Sequence, residues 1–330
     1  MKHSQPSRRR VLQSAVALAA APLLLGARPA LAQDYPSRPI RLVLEVTPGA
    51  AGDVYMRVVA TQLARLLGQP VVVDNQAGAG GLLAAGLVSR AAPDGYTLLV
   101  GSTSALILRP HLVRSNSMDL ARDLTPISGL WSSPSVVLTS TNLPVRSMKE
   151  LIEYARANPD KVAFGTSGVG SGHHFNGEQI QQYTGIRLRH IPYKGGNENL
   201  LHLSSGELPM VIANASVAAP FLKSDKIRLL AVVEKRSPLF PDTPALSEVI
   251  PGFSAVPNWV GLFGPAKLPA PILARINAEL QKALATPEVK QAIRDAELIG
   301  ESPEAFQARI QSQIASVRKI ATAANIKPMD

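Results

Sequence analysis

Two stretches of this chain place glycine and small polar residues where a strand gives way to a helix: Thr47-Pro48-Gly49-Ala50-Ala51-Gly52-Asp53 and Gly165-Thr166-Ser167-Gly168-Val169-Gly170-Ser171-Gly172. The chemistry open to such a segment is anion capture. The first N–H groups of a helix have no partner within it and the helix dipole is positive there, so a carboxylate is stabilised without lysine or arginine. Missing side chains let the guest approach the backbone. Each segment also reads as a tight strand-to-helix turn, but two of them on successive β/α series together describe a clamp, so both readings stay open.

Other chemistry is poorly served by these residues. There is no G-x-x-x-x-G-K-[ST], and Gly168-x-Gly170-x-Gly172 has the wrong last spacing for a dinucleotide fingerprint. Ser167 and Ser171 do not sit in G-x-S-x-G. An exported hydrolase assembled from Ser171, His174 and a carboxylate is the alternative, and its spacing gives it no support. His173 and His174 are adjacent, so on a helix they point about 100° apart and make a poor chelate, while His190 and His202 lack paired ligand spacing. No cofactor and no metal are therefore expected. His174, about one turn into a helix whose start can hold an anion, is the histidine to watch. Asp53 is either a helix cap or the partner of a ligand amino group.

Elements must position these loops. From Ile40 to about Val233 short β-rich runs alternate with helical patterns, which predicts a parallel-sheet α/β architecture. Ile40–Val46, Val71–Asp74 and Tyr96–Val100 read as strands. Asp53–Leu67 reads as an amphipathic helix with Val54, Val58, Leu63, Leu66 and Leu67 on its apolar positions. Strands at Leu124–Leu130 and Ser135–Thr139 follow, then a helix over Met148–Ala157 opened by the capping box Ser147-x-x-Glu150. A second series runs from strand Val162–Gly165 through helix His173–Tyr183, a helix over Val217–Leu222 and strand Ile227–Val233. Two like series predict two like lobes. The proline-rich Ser237–Pro257 stretch reads as a return connection, Trp259–Phe263 as a strand, and the C-terminal part as helices begun by Thr286-Pro287-Glu288 and Ser302-Pro303-Glu304. The chain then crosses twice between lobes, a hinge, with lobe one at 33–133 plus 249–330 and lobe two at 134–248.

The 330 residues, 46% of them hydrophobic and 18% charged, suffice for two domains. No run reaches the roughly 18 apolar residues of a membrane-spanning helix. Arg8, Arg9 and Arg10 precede an apolar run from Ala15 to Leu25, and Ala30-Leu31-Ala32 ends it, the pattern of a bacterial signal peptide over 1–32. The segment predicts a periplasmic protein; Pro22 and the short run argue against an anchored first helix. Ser7–Leu12 resembles a twin-arginine signal, and general secretion stays open beside it. Cleavage after Ala32 removes five basic residues (Lys2, Arg8, Arg9, Arg10, Arg28) and no acid, taking the formal charge from +10 to +5. The basic balance is thus partly an export signal, and no nucleic-acid partner is expected. There is no cysteine, so neither disulfides nor thiolate metal sites arise.

A family likeness is carried by Tyr35-Pro36-Ser37-Arg38-Pro39-Ile40, Pro48-Gly49 with Asp53, Leu67-Gly68-Gln69-Pro70-Val71, Gly78-Ala79-Gly80-Gly81 and Ala92-Pro93-Asp94-Gly95-Tyr96-Thr97-Leu98. Ser167-Gly168-x-Gly170-Ser171 with His174, Pro192-Tyr193-Lys194-Gly195, Lys235-Arg236-Ser237 and Trp259-x-Gly261-Leu262 continue it in order. The chain resembles the tripartite tricarboxylate transporter substrate-binding (Bug/TctC) family over nearly all of its mature length. The resemblance implies a type II periplasmic binding-protein fold, two α/β lobes joined by a two-strand hinge, closing on a small organic mono- or dicarboxylate held by main-chain N–H groups and water. It implies no enzymatic activity, a membrane permease or a sensor as partner, and a monomer. Carried over by position, the contacts are Ala50, Ala51, Gly52 and Asp53; Ser102 and Thr103; Thr166, Ser167, Gly168, Val169, Gly170 and Ser171 with His174 beside them; and Asn214 and Trp259. The sequence departs from the family at Glu45-Val46-Thr47-Pro48, at Gly49-Ala50, and at Ala213, where an Asp is usual. The last change argues against an amino-acid ligand.

Overall fold

The computed structural model describes residues 35–112, 118–193, 196–256 and 258–323. The signal-peptide segment 1–32, Lys194, Gly195 and Pro257 lie outside them. Strands β1 (Ile40–Leu44), β2 (Val71–Asn75), β3 (Thr97–Ser102), β4 (Leu124–Ser132), β10 (Trp259–Pro265) and β11 (Glu297–Leu298) form one sheet in the order β11-β4-β10-β3-β1-β2. Strands β5 (Ser135–Ser140), β6 (Ala163–Thr166), β7 (Arg189–Pro192), β8 (Met210–Asn214) and β9 (Ile227–Val232) form the other, in the order β7-β6-β8-β5-β9. Both belong to one compact unit, Arg38–Asp330.

The two sheets repeat one plan. In each, the first strand of a βαβ series lies between the second and the third, all parallel, as β2-β1-β3 and β7-β6-β8. Leu42 of β1 sits between Val73 of β2 and Leu98 of β3. Covered on both faces, β1 is an almost unbroken apolar run in which Ile40, Leu42, Val43 and Leu44 are buried. The sheets are nonetheless mixed rather than all-parallel. The next strand in each is the one that has just arrived from the other series, β10 beside β3 and β5 beside β8, and it enters antiparallel. Ser133 and Pro134 carry the chain across from β4 to β5, and the return runs through Val256 to Asn258. The two crossings touch: Ser133 N–H donates to Asn258 O at 3.3 Å and Ser132 Oγ to the same oxygen at 3.0 Å.

Helices Ala51–Leu67, Ala270–Ala285 and Pro303–Ala323 accompany the first sheet and Met148–Ala157, Gly172–Thr184 and Gly196–Ser205 the second. The first helix stops at Gly68, whose φ of 71° lets its N–H reach Ala64 O at 3.0 Å. The expected helix over Val217–Leu222 is two short turns, Ala215–Ala218 and Phe221–Lys223, with Pro220 between them. No helix among the described residues is long and apolar enough to cross a membrane.

Candidate functional site

The carboxyl ends of the parallel strands of both sheets open onto one cleft of about 270 Å3, slightly under the roughly 300–1,000 Å3 of drug-sized ligand sites. On the first-sheet side its wall is Glu45, Val46, Ala51, Gly52, Tyr55, Ser102, Ser104, Trp131 and Val260. Facing them are Ser167, Ser171, Gly172, His173, Asn214, Ser216 and Val217, with Ser133 and Asn258 from the two crossings between. Among the described residues no lysine or arginine lines it.

The two helix starts differ. Ala50, the N-cap of Ala51–Leu67, is extended (φ −65°, ψ 155°) and has no side chain able to cap, so the turn at Ala51 and Gly52 fronts the cleft without a capping group. Ser171 caps the other helix. Its Oγ accepts from His174 N–H at 3.2 Å and donates to Gly168 O at 2.8 Å. With its hydrogen committed to a carbonyl and no imidazole behind it, Ser171 is not built as a nucleophile. Gly168 and Gly170 (φ 124° and 77°) give this loop its path.

Ala51, Gly52, Ser102, Ser167, Ser171 and Asn214 come together in the wall. The other expected contacts lie elsewhere. Ala50, Gly168, Val169 and Gly170 shape the loops without lining the cleft. Thr103 is buried, its Oγ1 accepting Trp259 N–H at 3.1 Å. Thr166 is buried too, its Oγ1 accepting Gly168 N–H at 3.2 Å and meeting His190 Nε2 at 2.7 Å. Asp53 is buried and turned away from the cleft, accepting from Gly49 N–H at 2.9 Å and Asn75 Nδ2 at 3.0 Å and pairing with Arg57. It is the third residue of its helix, not the cap. His174 braces the loop from behind: its Nδ1 accepts Gly170 N–H at 3.1 Å and its ring stacks on His190 at 4.0 Å. Burial, then the neighbouring His174, brings the His190 pKa down to about 4. Trp259 is the clearest displacement. Its indole is in the core, edge-on to Phe306 at 5.0 Å, with Nε1–H donating to Gln313 at 2.6 Å. The tryptophan in the cleft is Trp131, edge-on to Tyr55 at 5.6 Å.

His173, rather than His174, enters the wall. Asn258 Nδ2 donates to Asn214 Oδ1 at 2.7 Å, and His173 Nε2 meets the same oxygen at 3.0 Å, so this nitrogen carries the ring's hydrogen. Nδ1 is then an acceptor for Ser167 Oγ–H at 2.9 Å. Burial holds His173 below the ordinary histidine pKa, and Asn214 opposes this only in part. A neutral chain of side chains thus fixes the second wall. Glu45, Tyr55, Trp131 and Asn258 also went unread in the sequence. Only Glu45 carried a signal, its departure from the family pattern.

Two lobes, each contributing a strand-to-helix loop to a shared cleft and joined by two crossings, define a periplasmic binding protein of the two-lobe α/β type. Residues 55–326 match the tripartite tricarboxylate transporter family receptor (TctC), and the chain belongs to that family. A UPF0065 protein of Bordetella bronchiseptica is 36% identical over 311 residues, 93% of this chain and 91% of that one. Among solved structures, Rpa4515 of R. palustris with adipate is 32% identical with a TM-score of 0.79, covering 90% of this chain and 100% of that one. MatC of Rhodopseudomonas palustris with bound malate is 27% identical with a TM-score of 0.74, covering 87% and 99%. That family is one of receptors, and the periplasmic binding protein BugD is a further similar structure, 28% identical with a TM-score of 0.76, covering 89% of this chain and 100% of that one.

Proposed function

We propose that this receptor captures a small organic mono- or dicarboxylate between its two lobes, the second running on to the return crossing near Val256 rather than ending at 248. It then delivers the acid, as a monomer, to the membrane subunits of a tripartite permease or to a sensor. Export follows a signal cleaved near Ala32. The observation carrying the ligand class is the uncapped turn at Ala51 and Gly52, facing Ser167, Ser171 and His173 across a cleft without basic side chains among the described residues. An anion there is held by peptide dipoles and neutral donors. The neighbours bound to adipate and malate support that class. Ala51, Gly52, Ser102, Ser167, Ser171 and Asn214 are the contacts this reading retains from the sequence, with His173 added.

Calorimetry on ligand-stripped protein with adipate, malate, succinate and benzoate tests it. At least one acid should bind, and Gly52→Val should abolish that binding. A Cβ at Gly52 meets nothing closer than 3.8 Å, so the variant folds while its side chain fills the space before the helix start. A protein that takes none of the four acids, or a Gly52→Val variant of undiminished affinity, would refute the reading.

A further inference from the structure

An anion site should not present an acid, yet Glu45 is the one formally charged side chain among the described residues lining this cleft. It follows β1 directly, beside the uncapped helix turn. The residue as a whole is partly accessible, but its Oε2 is buried and makes no hydrogen bond. That oxygen is packed against the backbone of Gly81: a Cβ at Gly81 would lie 2.6 Å from it and 2.5 Å from the Ala105 methyl. An ionised oxygen in such a position loses its hydration for nothing, a cost a neutral carboxyl mostly avoids.

Among the described residues no neighbour supplies the missing positive charge. Arg109 lies one residue along the same turn, its guanidinium against Gly80, but forms no ion pair with Glu45, and its own Nε is buried without a partner. From the adjoining helix come Asp53, which is turned to Arg57, and Tyr55, which burial keeps protonated well above neutrality. β3 and the segment after it bring Ser102 and Ala105, Trp131 comes from β4 and Val260 from β10, and none of these carries a charge. Across the cleft the titratable group is the neutral His173.

We infer that Glu45 is a specificity-determining acid of this receptor, meeting the captured carboxylate as a neutral carboxyl, so that each anion is bound together with one proton taken up at Glu45. The inference rests on the carboxylate reading of the cleft. Desolvation raises the Glu45 pKa to about 7, against the opposing effect of Ser102, with no charged group contributing. A bound anion raises it further. Affinity is then flat below about pH 7 and falls as pH rises above it, by up to tenfold per unit, because binding must then draw a proton from solution onto the ionised acid.

Calorimetry at pH 6.5–8.5, with the same four acids in two buffers of different ionisation heat, reads the proton directly and needs no variant. Wild type should take up close to one proton per bound acid at pH 8 and bind about tenfold more weakly at pH 8.5 than at 7.5. Glu45→Gln, checked for a cooperative thermal transition at each pH, should bind with no uptake and no pH slope. Binding without proton uptake, affinity that rises with pH as a ligand ammonium group would produce, or uptake that persists in Glu45→Gln each overturns the inference while leaving the carboxylate reading intact. Failure of all four acids to bind at pH 6.5 overturns both.

Discussion

A carboxylate one turn from an anion site is harmless only if its charge is engaged elsewhere, and Asp53 is engaged fully. Arg57 first, then Gly49 N–H and Asn75, bring its pKa down to about 2. An acid whose pKa falls on folding contributes stability that is present above its unfolded value, near 3.8, and is lost as pH drops toward 2. Solvent reaches the exposed Arg57 side of the pair, which holds the contribution to about 1–2 kcal/mol. Asp53→Asn should therefore lose about that much in urea unfolding at pH 7 and almost nothing at pH 2; an equal loss at both would show that the charge is irrelevant. The first helix turn, and with it the cleft, was legible in the sequence because glycine and alanine spacing marks it. Which neighbour faces the ligand was not. His173 and His174 differ by about 100° of helix, and the start at Gly172 sends the first of them into the wall. Trp259 and Val260 alternate across β10 in the same way, so a shift of one residue exchanges cleft for core.

Helical glycines separate propensity from packing at the scale of the element. Gly177 lets the Gly172–Thr184 helix lie on β6: a Cβ there would sit 2.2 Å from the Phe164 ring. Alanine gains about 1 kcal/mol of helix propensity, while forcing the ring aside costs about 1–3 kcal/mol. Gly177→Ala should lower the thermal midpoint and, by tilting the helix that carries Ser171 and His173, weaken ligand binding; Gly52→Ala, whose Cβ would meet only ordinary contacts with Trp131 and Val46, should raise the midpoint. A Gly177→Ala protein as stable as wild type would mean the ring moves freely. Apolar runs of β1, β6 and β8 and the Ser147 capping box made most elements readable, because burial and capping are local. Strand direction is not local. β5 and β10 run antiparallel because each enters from the other lobe, which no window of residues records, and the two-residue β11 exists only through its pairing with β4.

At the edge of the second sheet beside the first crossing, the whole molecule holds a second half-buried acid. Glu234, just after β9, accepts Ser135 N–H at 2.7 Å and Ser135 Oγ–H at 2.9 Å, so it ties the return side of lobe two to the first crossing. Lys235 next to it pairs at 3.1 Å with Glu297 of the first sheet. Burial raises the Glu234 pKa to about 7 despite the Ser135 hydrogen bonds that oppose it, and Glu297 adds to the rise. For an acid raised on folding, stability is full below the unfolded value near 4.5 and is lost as pH climbs through about 7, at most about 1.4 kcal/mol per unit. Glu45 is shifted in the same direction, so both acids make the folded protein less stable at pH 8 than at pH 5. Glu234→Gln keeps an acceptor for Ser135 while removing one titration, and in thermal unfolding it should gain stability relative to wild type as pH goes from 5 to 8, against the opposite drift of the lowered His173 and His190. Adding Glu45→Gln should leave a profile that rises from pH 5 toward pH 6.5, because the buried His173 and His190, both lowered on folding, gain stability over that range. If Glu234→Gln followed the wild-type profile at a constant offset, the crossing would not sense pH, and Glu234 would serve there only as a hydrogen-bonding brace whose ionisation is matched in the unfolded chain.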